Sequence, residues 1–545
     1  MELALAIVTL LVGIAIFITG MNMMSSGLKK IAGKGVRKLF KKVSNSSVTG
    51  LGIGALVTAI IQSSAATSVM VIGFLNAGVM SIFLGVSIMM GAYIGTTMTG
   101  ILVSFSSFSF SEFLVLFAVV GVILMFFKNP RIKYIGEIFT GLGLVFFGLS
   151  TMSGSLKGNA DIVNALTTLF TNVSFPLLVF MLGILFSVLM QSSSAVTGVA
   201  IVLAGTGAMP FASALYVGLG ATVGTLITTL IATIGANRDA KRATTVVLFI
   251  KLISGFLGLI ITWIFEAPLT SFFESSFGSL QLGIAMFLLF FNVIFMFVLL
   301  PLIKPLVNLS EKLVPDKELE NKKKDLLYIQ DSLLRDPNIA LIEAKQEIIH
   351  MLTLSKENFI EGFNFLVNAK EIDRDALLKK EESIDFINGA IANYLVKISE
   401  KVNIDDAPTV GSYFHVINDI ERIGDHAYNY YKARLDMIDK ELEFSSMAKG
   451  ELNNFFDIIM KMFDLAYDIF DKEDTKELPI LHELEDKTDN LNREYASNHF
   501  KRIQNKECTN ELSPYFSNCL TELERVSDHL TNIGYSIVDI TGKDD

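Results

Sequence analysis

Two short polar words interrupt apolar runs that are long enough to cross a bilayer: Gln62-Ser63-Ser64 and, 129 residues later, Gln191-Ser192-Ser193-Ser194. A helix that begins just after such a word presents unpaired backbone N–H groups and the positive end of its dipole, and with the serine hydroxyls these make an anion site. Thr67, Thr96, Thr97, Thr197 and Thr225 supply hydroxyl oxygens close by in sequence. Together with the Gln62 and Gln191 carbonyls, and backbone carbonyls expected to be freed at Gly95 and Gly224, they are hard ligands suited to a small alkali cation. No carboxylate or Arg lies near either word. A proton relay normally needs an intramembrane Asp, Glu or His, so the composition favours sodium as the driving ion. In a neutral site, a cation roughly 5 Å from a bound anion contributes about 3 kcal/mol at an effective dielectric near 20, over a hundredfold in affinity.

The words belong to a longer duplication. Gly91, Gly95 and Thr96 recur as Gly220, Gly224 and Thr225 at the same offset of 129, and Gly13, Gly20, Leu28 and Lys29 match Gly141, Gly148, Leu156 and Lys157 at 128. Small and hydroxyl residues also line helix interfaces, which is the alternative use of Gln-Ser-Ser. Two copies with matching Gly and Thr partners favour a site built by broken helices at the interface of two repeats.

The loops fix an expected topology. Residues 3–24 form a first span, and the following stretch carries Lys29, Lys30, Lys34, Arg37, Lys38, Lys41 and Lys42 without an acid, placing it in the cytoplasm and the amino terminus outside. Further spans are expected at 79–104, 112–127, 134–152, 212–235, 244–265 and 281–303. Lys128, Arg131 and Lys133, and then Arg238, Lys241 and Arg242, fall on the same face only if 48–75 and 174–207 are re-entrant hairpins. Each unit then has three full crossings, and the second copy is inverted. Lys251 is a charge about eight residues inside a span, and it is expected to snorkel toward the headgroups, outside the site.

Beyond about residue 305 the composition turns acidic and lysine-rich, and the acidic excess behind the net charge of −10 lies there. This is a soluble helical domain whose sign argues against nucleic acid. The only cysteines, Cys508 and Cys519, are too few and too late for a disulfide framework or a thiolate metal site. Here too the sequence repeats: Glu381 and Asp385 recur as Glu485 and Asp489, and Glu421-Arg422-x-x-Asp425-His426 recurs as Glu524-Arg525-x-x-Asp528-His529. A Glu-x-x-x-Asp pair puts two carboxylates on one helix face. With Pro408, Pro479 and Pro514 near helix starts, the pattern predicts two three-helix repeats between about 335 and 541. Arg422 and Arg525 could neutralise the acids in ion pairs.

The segments QSSAATS and QSSSAVTG, each followed by GAYIGTT or GATVGTL, resemble the type II sodium/phosphate cotransporter family over roughly the first 305 residues. Relatives commonly carry Asn where this chain has Tyr93 and Thr222, and a third Ser where it has Ala65. The resemblance implies phosphate bound by Gln62, Ser63, Ser64, Gln191, Ser192, Ser193 and Ser194, and sodium by Gln62, Thr67, Thr96, Thr97, Gln191, Thr197 and Thr225. The segments ERIGDHAYN and ERVSDHLTN resemble PhoU, the phosphate-uptake regulator family, whose acidic helix faces bind metal clusters. That implies divalent or iron ions at Glu381, Asp385, Glu421, Asp425, Glu485, Asp489, Glu524 and Asp528.

The expectation is therefore an all-α polytopic membrane protein. Residues 1–306 form the transporter domain, with repeats at about 1–130 and 131–265 and an extra span at 281–303; 307–334 form a linker and 335–545 a cytoplasmic PhoU-like bundle. The expected function is sodium-coupled import of inorganic phosphate by alternating access across a bacterial or archaeal plasma membrane, by a homodimer and without enzymatic chemistry. A membrane phosphate sensor that does not transport, or a small-anion channel, are the alternatives.

Overall fold

The computed structural model describes residues 2–41, 46–76, 78, 80–108, 110–173, 175–234, 236–315, 326–331, 334, 337–402 and 406–541. The chain divides into two compact units, Met1–Lys317 and Glu318–Asp545, and among the described residues both are built of helices.

The helices of the first unit are α1 (Glu2–Lys41), α2 (Ser47–Ile61), α3 (Ser64–Asn76), α4 (Ile82–Ser104), α5 (Ser111–Leu114), α6 (Leu116–Met125), α7 (Pro130–Lys157), α8 (Ala160–Asn172), α9 (Pro176–Met190), α10 (Ser193–Gly205), α11 (Phe211–Gly224), α12 (Leu226–Ala232), α13 (Arg238–Ile264), α14 (Glu266–Ser276), α15 (Leu280–Leu299) and α16 (Ile303–Leu313). Among the described residues six helical stretches are long and apolar enough to cross a membrane: Ala4–Ala32, Ile82–Ser107, Pro130–Lys157, Phe211–Ala232, Arg238–Ile264 and Leu280–Leu313.

Four stretches differ from the hydropathy reading. The first span and most of its basic loop are one 40-residue helix. Lys and Arg are good helix formers and no proline intervenes, so α1 runs on past its apolar part. There Lys30 meets Glu137 of α7 at 2.6 Å. The span expected at 112–127 is the short apolar stretch Ser111–Met125, roughly 22 Å of helix against a hydrocarbon core of about 30 Å. Helices α8 and α14 occupy stretches that the hydropathy pattern leaves as loops.

Glycines explain most of the repeat signal. Helix α4 crosses α2 so closely that a Cβ on Gly91 would collide with the Leu51 carbonyl oxygen, and one on Gly95 with that of Ala55. In the second half α11 crosses α9 in the same way: Gly220 lies on the Phe180 carbonyl, and Gly224 on that of Ile184, where a Cβ would stand at 2.6 Å. Every partner is displaced by the same 129 residues. Gly54 against Ile88 and Gly183 against Val217 complete the match. Between the halves, α1 and α7 run antiparallel, with Gly13 on Gly148 and Gly20 on Gly141. Because Gly13 and Gly20 are the counterparts of Gly141 and Gly148, this contact is reciprocal, as two-fold symmetry requires. The two repeats are thus inverted relative to each other.

The second unit is a six-helix bundle of two three-helix sets, α17 (Pro337–Asn368), α18 (Arg374–Ser399) and α19 (Ala407–Asp439), then α20 (Ser446–Lys472), α21 (Leu478–Gln504) and α22 (Ser513–Thr541). Pro408 and Pro479 stand in the first turns of α19 and α21, and Pro514 is the second residue of α22. A shared apolar core joins the sets, with Phe359, Phe363, Tyr430, Phe455, Phe463 and Phe516 fully buried. Helices α19 and α22 meet at a second reciprocal contact. His426 bonds Glu522, His529 bonds Asp419 at 2.8 Å, and the two imidazoles stack with centroids 5.7 Å apart.

The glycine crossings yield a stability prediction with opposite signs. Gly52 has open space around it, so Gly52→Ala gains helix propensity, up to about 1 kcal/mol. Gly91→Ala and Gly220→Ala press on a backbone carbonyl that no rotamer change relieves, and each should cost about 1–3 kcal/mol net. Thermal unfolding of the detergent-solubilised protein reads both; equal midpoints for all three variants would refute the close-crossing account.

Candidate functional site

The two polar words sit where a helix stops and restarts. In repeat one α2 ends at Gln62, with φ 58° and ψ 30°; in repeat two α9 ends at Gln191, with φ 52° and ψ 27°. A left-handed glutamine is uncommon, and its recurrence at equivalent positions marks a strained, purposeful break. The Gln62 N–H donates to the Thr58 carbonyl at 2.8 Å, and Ser25 Oγ of α1 donates to the Ile61 carbonyl at 2.9 Å, satisfying the end of α2. The restarting helices are capped alike. Ser63 Oγ accepts from the Ala66 N–H at 3.2 Å, and Ser192 Oγ from the Ala195 N–H at 3.2 Å. These serine oxygens are committed to capping, while Ser64, Ser193 and Ser194 lie one step into the helices.

A cavity opens among α4, α10, α11 and α15. It encloses about 30 Å³ of space for the centre of a water-sized sphere. Five residues expected from the sequence line it: Thr96, Thr97, Ser193, Ser194 and Thr197. Ser193 is 5% exposed and Thr197 8% exposed, so their hydroxyls are held in the protein and not in lipid. Tyr93, Thr222 and Asn292 complete the polar wall. Gln62, Ser63, Ser64, Thr67, Gln191, Ser192 and Thr225 are not on this lining. Helix α10 packs on α4, whereas α3 packs on α12 and α13, so each word addresses the long helix of the other repeat. In repeat one, Gln62 Oε1 accepts from Thr99 Oγ1 at 2.8 Å and its Nε2 donates to the Ala59 carbonyl at 2.6 Å, while Thr67 is fully buried and accepts from Thr58 Oγ1 at 2.8 Å. Gln191 is exposed.

Two expectations are corrected. Gly95 does not free a carbonyl by breaking a helix, because α4 is continuous from Ile82 to Ser104; its role is the close crossing with α2. Gly224 does end α11, and Thr225 stands between α11 and α12. Nor does Lys251 snorkel. It is 3% exposed, its ammonium donates to Thr225 Oγ1, and it stands 3.8 Å from the centre of the Tyr93 ring. Asn292, 3% exposed with Nδ2 on the Leu288 carbonyl, was also out of reach of repeat logic, because α15 lies outside the duplication.

In the soluble unit the repeated carboxylates form two faces. Burial pushes the Glu381, Asp385 and Glu421 carboxyls above their usual range, and mutual repulsion with Asp425 adds to it. On the other face burial does the same to Glu524 and Asp528, reinforced by Asp489 for both and by Glu485 for Asp528. Among the described residues neither Arg422 nor Arg525 makes an ion pair within 4.0 Å; of the eight acids only Glu485 and Asp489 do, with His482 at 3.0 Å and Arg493 at 3.5 Å. The acids are therefore not neutralised by those arginines. Among the described residues no three His, Cys, Asp or Glu side chains converge as a metal-binding group. Glu522 behaves oppositely: burial acts to raise its carboxyl, but the bond and charge of His426, with Asn429 and Arg525, hold it below the usual range.

An apolar helical unit of two inverted repeats, each broken at a left-handed glutamine beside a hydroxyl-lined cavity, defines a membrane protein of the repeat-built transporter class. Residues 16–154 and 160–294 match the Na+/Pi-cotransporter family, and 348–433 and 452–537 match the PhoU domain. The chain belongs to the Na+/Pi-cotransporter family and carries a C-terminal PhoU domain. It is similar to YjbB of Escherichia coli (strain K12), whose name provisionally assigns it inorganic phosphate export; identity is 22% over 556 residues, covering 99% of both chains. It is 28% identical over 311 residues to the uncharacterized protein YqeW of Bacillus subtilis (strain 168), covering 56% of this chain and 97% of that one. It is also 30% identical over 91 residues to sodium-dependent phosphate transport protein 2A of Ovis aries, 16% and 14% of the respective chains. No solved structure matches it.

Proposed function

We propose that the chain is a sodium-coupled symporter that carries inorganic phosphate by alternating access and works as an importer wherever sodium is higher outside. The observation that carries this reading is the equivalent pair of left-handed glutamines with their serine caps, together with a cavity lined by Ser193 and Ser194, just after the second of them, whose lining holds no Asp, Glu or His. Phosphate is taken by the Ser64, Ser193 and Ser194 hydroxyls and the N-terminal N–H groups of α3 and α10, with Gln62, Ser63, Gln191 and Ser192 shaping the turns. Sodium is held by the Gln62 and Gln191 carbonyls and the Thr67, Thr96, Thr97 and Thr197 hydroxyls; the Thr225 hydroxyl, already bonded by the Lys251 ammonium, is left out of the set. The cavity has room for only about two waters, so phosphate enters when a lining helix moves. That requirement favours a carrier over an open channel. Export is the second reading, favoured by the name of YjbB, which this chain matches along its whole length.

The transport reading is tested in proteoliposomes with labelled phosphate and a sodium gradient imposed in either direction. Uptake should follow sodium and vanish in potassium alone. Ser64→Ala and Ser193→Ala should each weaken phosphate binding, and Gln62→Ala or Gln191→Ala should weaken sodium and phosphate together, by roughly ten- to a hundredfold, the worth of a lost hydrogen bond to a charged group. Phosphate flux that ignores sodium would end the symport reading, and binding without flux would leave a sensor.

In this reading α2–α3 and α9–α10 are re-entrant hairpins, the amino terminus faces outward, and the PhoU domain is cytoplasmic in a plasma membrane of bacterial or archaeal type. Cysteines placed beside Lys133 and Lys241 should resist an impermeant thiol reagent in intact cells, whereas those beside Asp161 and Glu274 should label. The reverse pattern would invert the topology.

The acidic faces of the soluble unit fit a hard cation in charge and donor type, though the described side chains do not yet converge. Glu381, Asp385, Glu421 and Asp425 would hold one such ion, and Glu485, Asp489, Glu524 and Asp528 another. Carboxyls raised in the fold bind protons more tightly than in the unfolded chain, so their unfavourable contribution is full at neutral pH and is relieved as pH falls through the raised values toward the ordinary 3.8–4.5. The favourable contribution of Glu522 is lost only below 4.5. The acids' share of PhoU stability should therefore rise between pH 7 and about 5, against a loss at His499, whose imidazole burial holds below its usual range, so the wild-type transition should move up relative to that of the Asp425→Ala/Asp528→Ala double variant, and up again on adding divalent or ferric ions at pH 7. Asp425→Ala with Asp528→Ala should blunt both shifts and abolish metal copurification with the full-length protein. Metal-independent unfolding would leave these faces as solvated charge.

A further inference from the structure

Among the described residues Lys251 is the one buried charge beside the cavity that the proposed cycle does not yet use. Helix α13 carries it between α4 and α11, the helices that bring Tyr93 and Thr222 to the cavity wall. Its described neighbours are a hydroxyl oxygen, Thr225 Oγ1, and an aromatic face, Tyr93. Among the described residues no carboxylate pairs with it. An oxygen and a ring face are what a cation site offers. An unpaired buried ammonium, however, is costly until a negative charge comes to it.

The halves differ here by one fixed charge. The counterpart of Thr225 is Thr96, which lines the cavity and donates to the Ala92 carbonyl at 2.9 Å. The counterpart of Lys251 is Val122, an apolar residue 45% exposed on the outer face of α6. Beside the ammonium, Tyr93 Oη is buried and has no hydrogen-bond partner, which leaves a donor for an anion oxygen at the cavity wall.

We propose that the Lys251 ammonium is a tethered cation which takes, in repeat two, the place that a sodium ion takes at Thr96 in repeat one. Phosphate is then carried with one sodium fewer than two symmetric half-sites would require. The inference rests on the phosphate site proposed above and assigns its asymmetry.

Equilibrium binding of labelled inorganic phosphate to the purified full-length protein, across a sodium series at constant ionic strength, tests it. Lys251→Met and Lys251→Gln should weaken phosphate binding about ten- to a hundredfold, the range for losing a charged partner. They should also steepen the dependence of log affinity on log sodium by about one, as a free ion fills the vacated place. Where the lysine variants fail to fold, the threonine pair decides: Thr96→Val should flatten the sodium dependence, whereas Thr225→Val should leave its slope as in the wild type. Wild-type affinity and slope in folded lysine variants, or equal flattening by both threonine variants, overturns the proposal while the symport reading stands. Wild-type binding indifferent to sodium overturns both.

Discussion

An apolar unit cannot leave backbone N–H and carbonyl groups unpaired, and everything distinctive in the first 317 residues follows from breaking a helix there twice. At Gln62 the break is made tolerable by a left-handed residue that returns its own N–H to Thr58, a serine that caps the restarting helix, and Ser25 of α1 covering a terminal carbonyl. At Gln191 the same backbone conformation and the same serine cap recur. Such breaks hold their shape only against a rigid backing, which the glycine crossings of α4 on α2 and α11 on α9 provide. The binding surface and the packing signature are thus two consequences of one constraint.

Duplication serves both units by making contacts reciprocal. In the membrane unit Gly13 lies on Gly148 and Gly20 on Gly141; in the soluble unit His426 reaches Glu522 while His529 reaches Asp419. A residue pair that works once then works twice. Where the copies diverge, the divergence concerns polar groups: Gln62 is anchored to Thr99 while Gln191 is exposed, and Lys251 faces Thr225 while Thr96 has no such neighbour. Symmetry fixes the frame, and departures from it tune the site.

Period made the fold legible. The 129-residue offset, the Gln-Ser words and the acidic pairs of the second unit could be read before any coordinate, because each is a spacing and spacing maps onto helix faces. Ser193, Ser194, Thr96, Thr97 and Thr197 duly line one cavity. Features set by tertiary neighbours were not legible. Lys251 looked free to snorkel because its sequence carries no record of Tyr93 packing over it, and Asn292 lies in a helix with no repeat partner. The Glu137 carboxylate that meets Lys30 of that continued helix lies more than a hundred residues away. Gly95 was misread because glycine marks both breaks and close crossings, and only the neighbour distinguishes them.

Direction of transport follows from how many ions are coupled, not from the geometry of a site that must face both sides. Each sodium in the cycle multiplies the attainable phosphate gradient by one factor of the sodium gradient, and coupling in equilibrium binding is reciprocal. A tethered ammonium stabilises bound phosphate equally on either side and draws nothing from that gradient. In the proposed cycle, replacing one sodium by Lys251 keeps affinity while removing one factor of driving force. A carrier so altered still takes phosphate up when it is scarce inside, but it reverses at a lower internal concentration than a symmetric, fully sodium-filled relative.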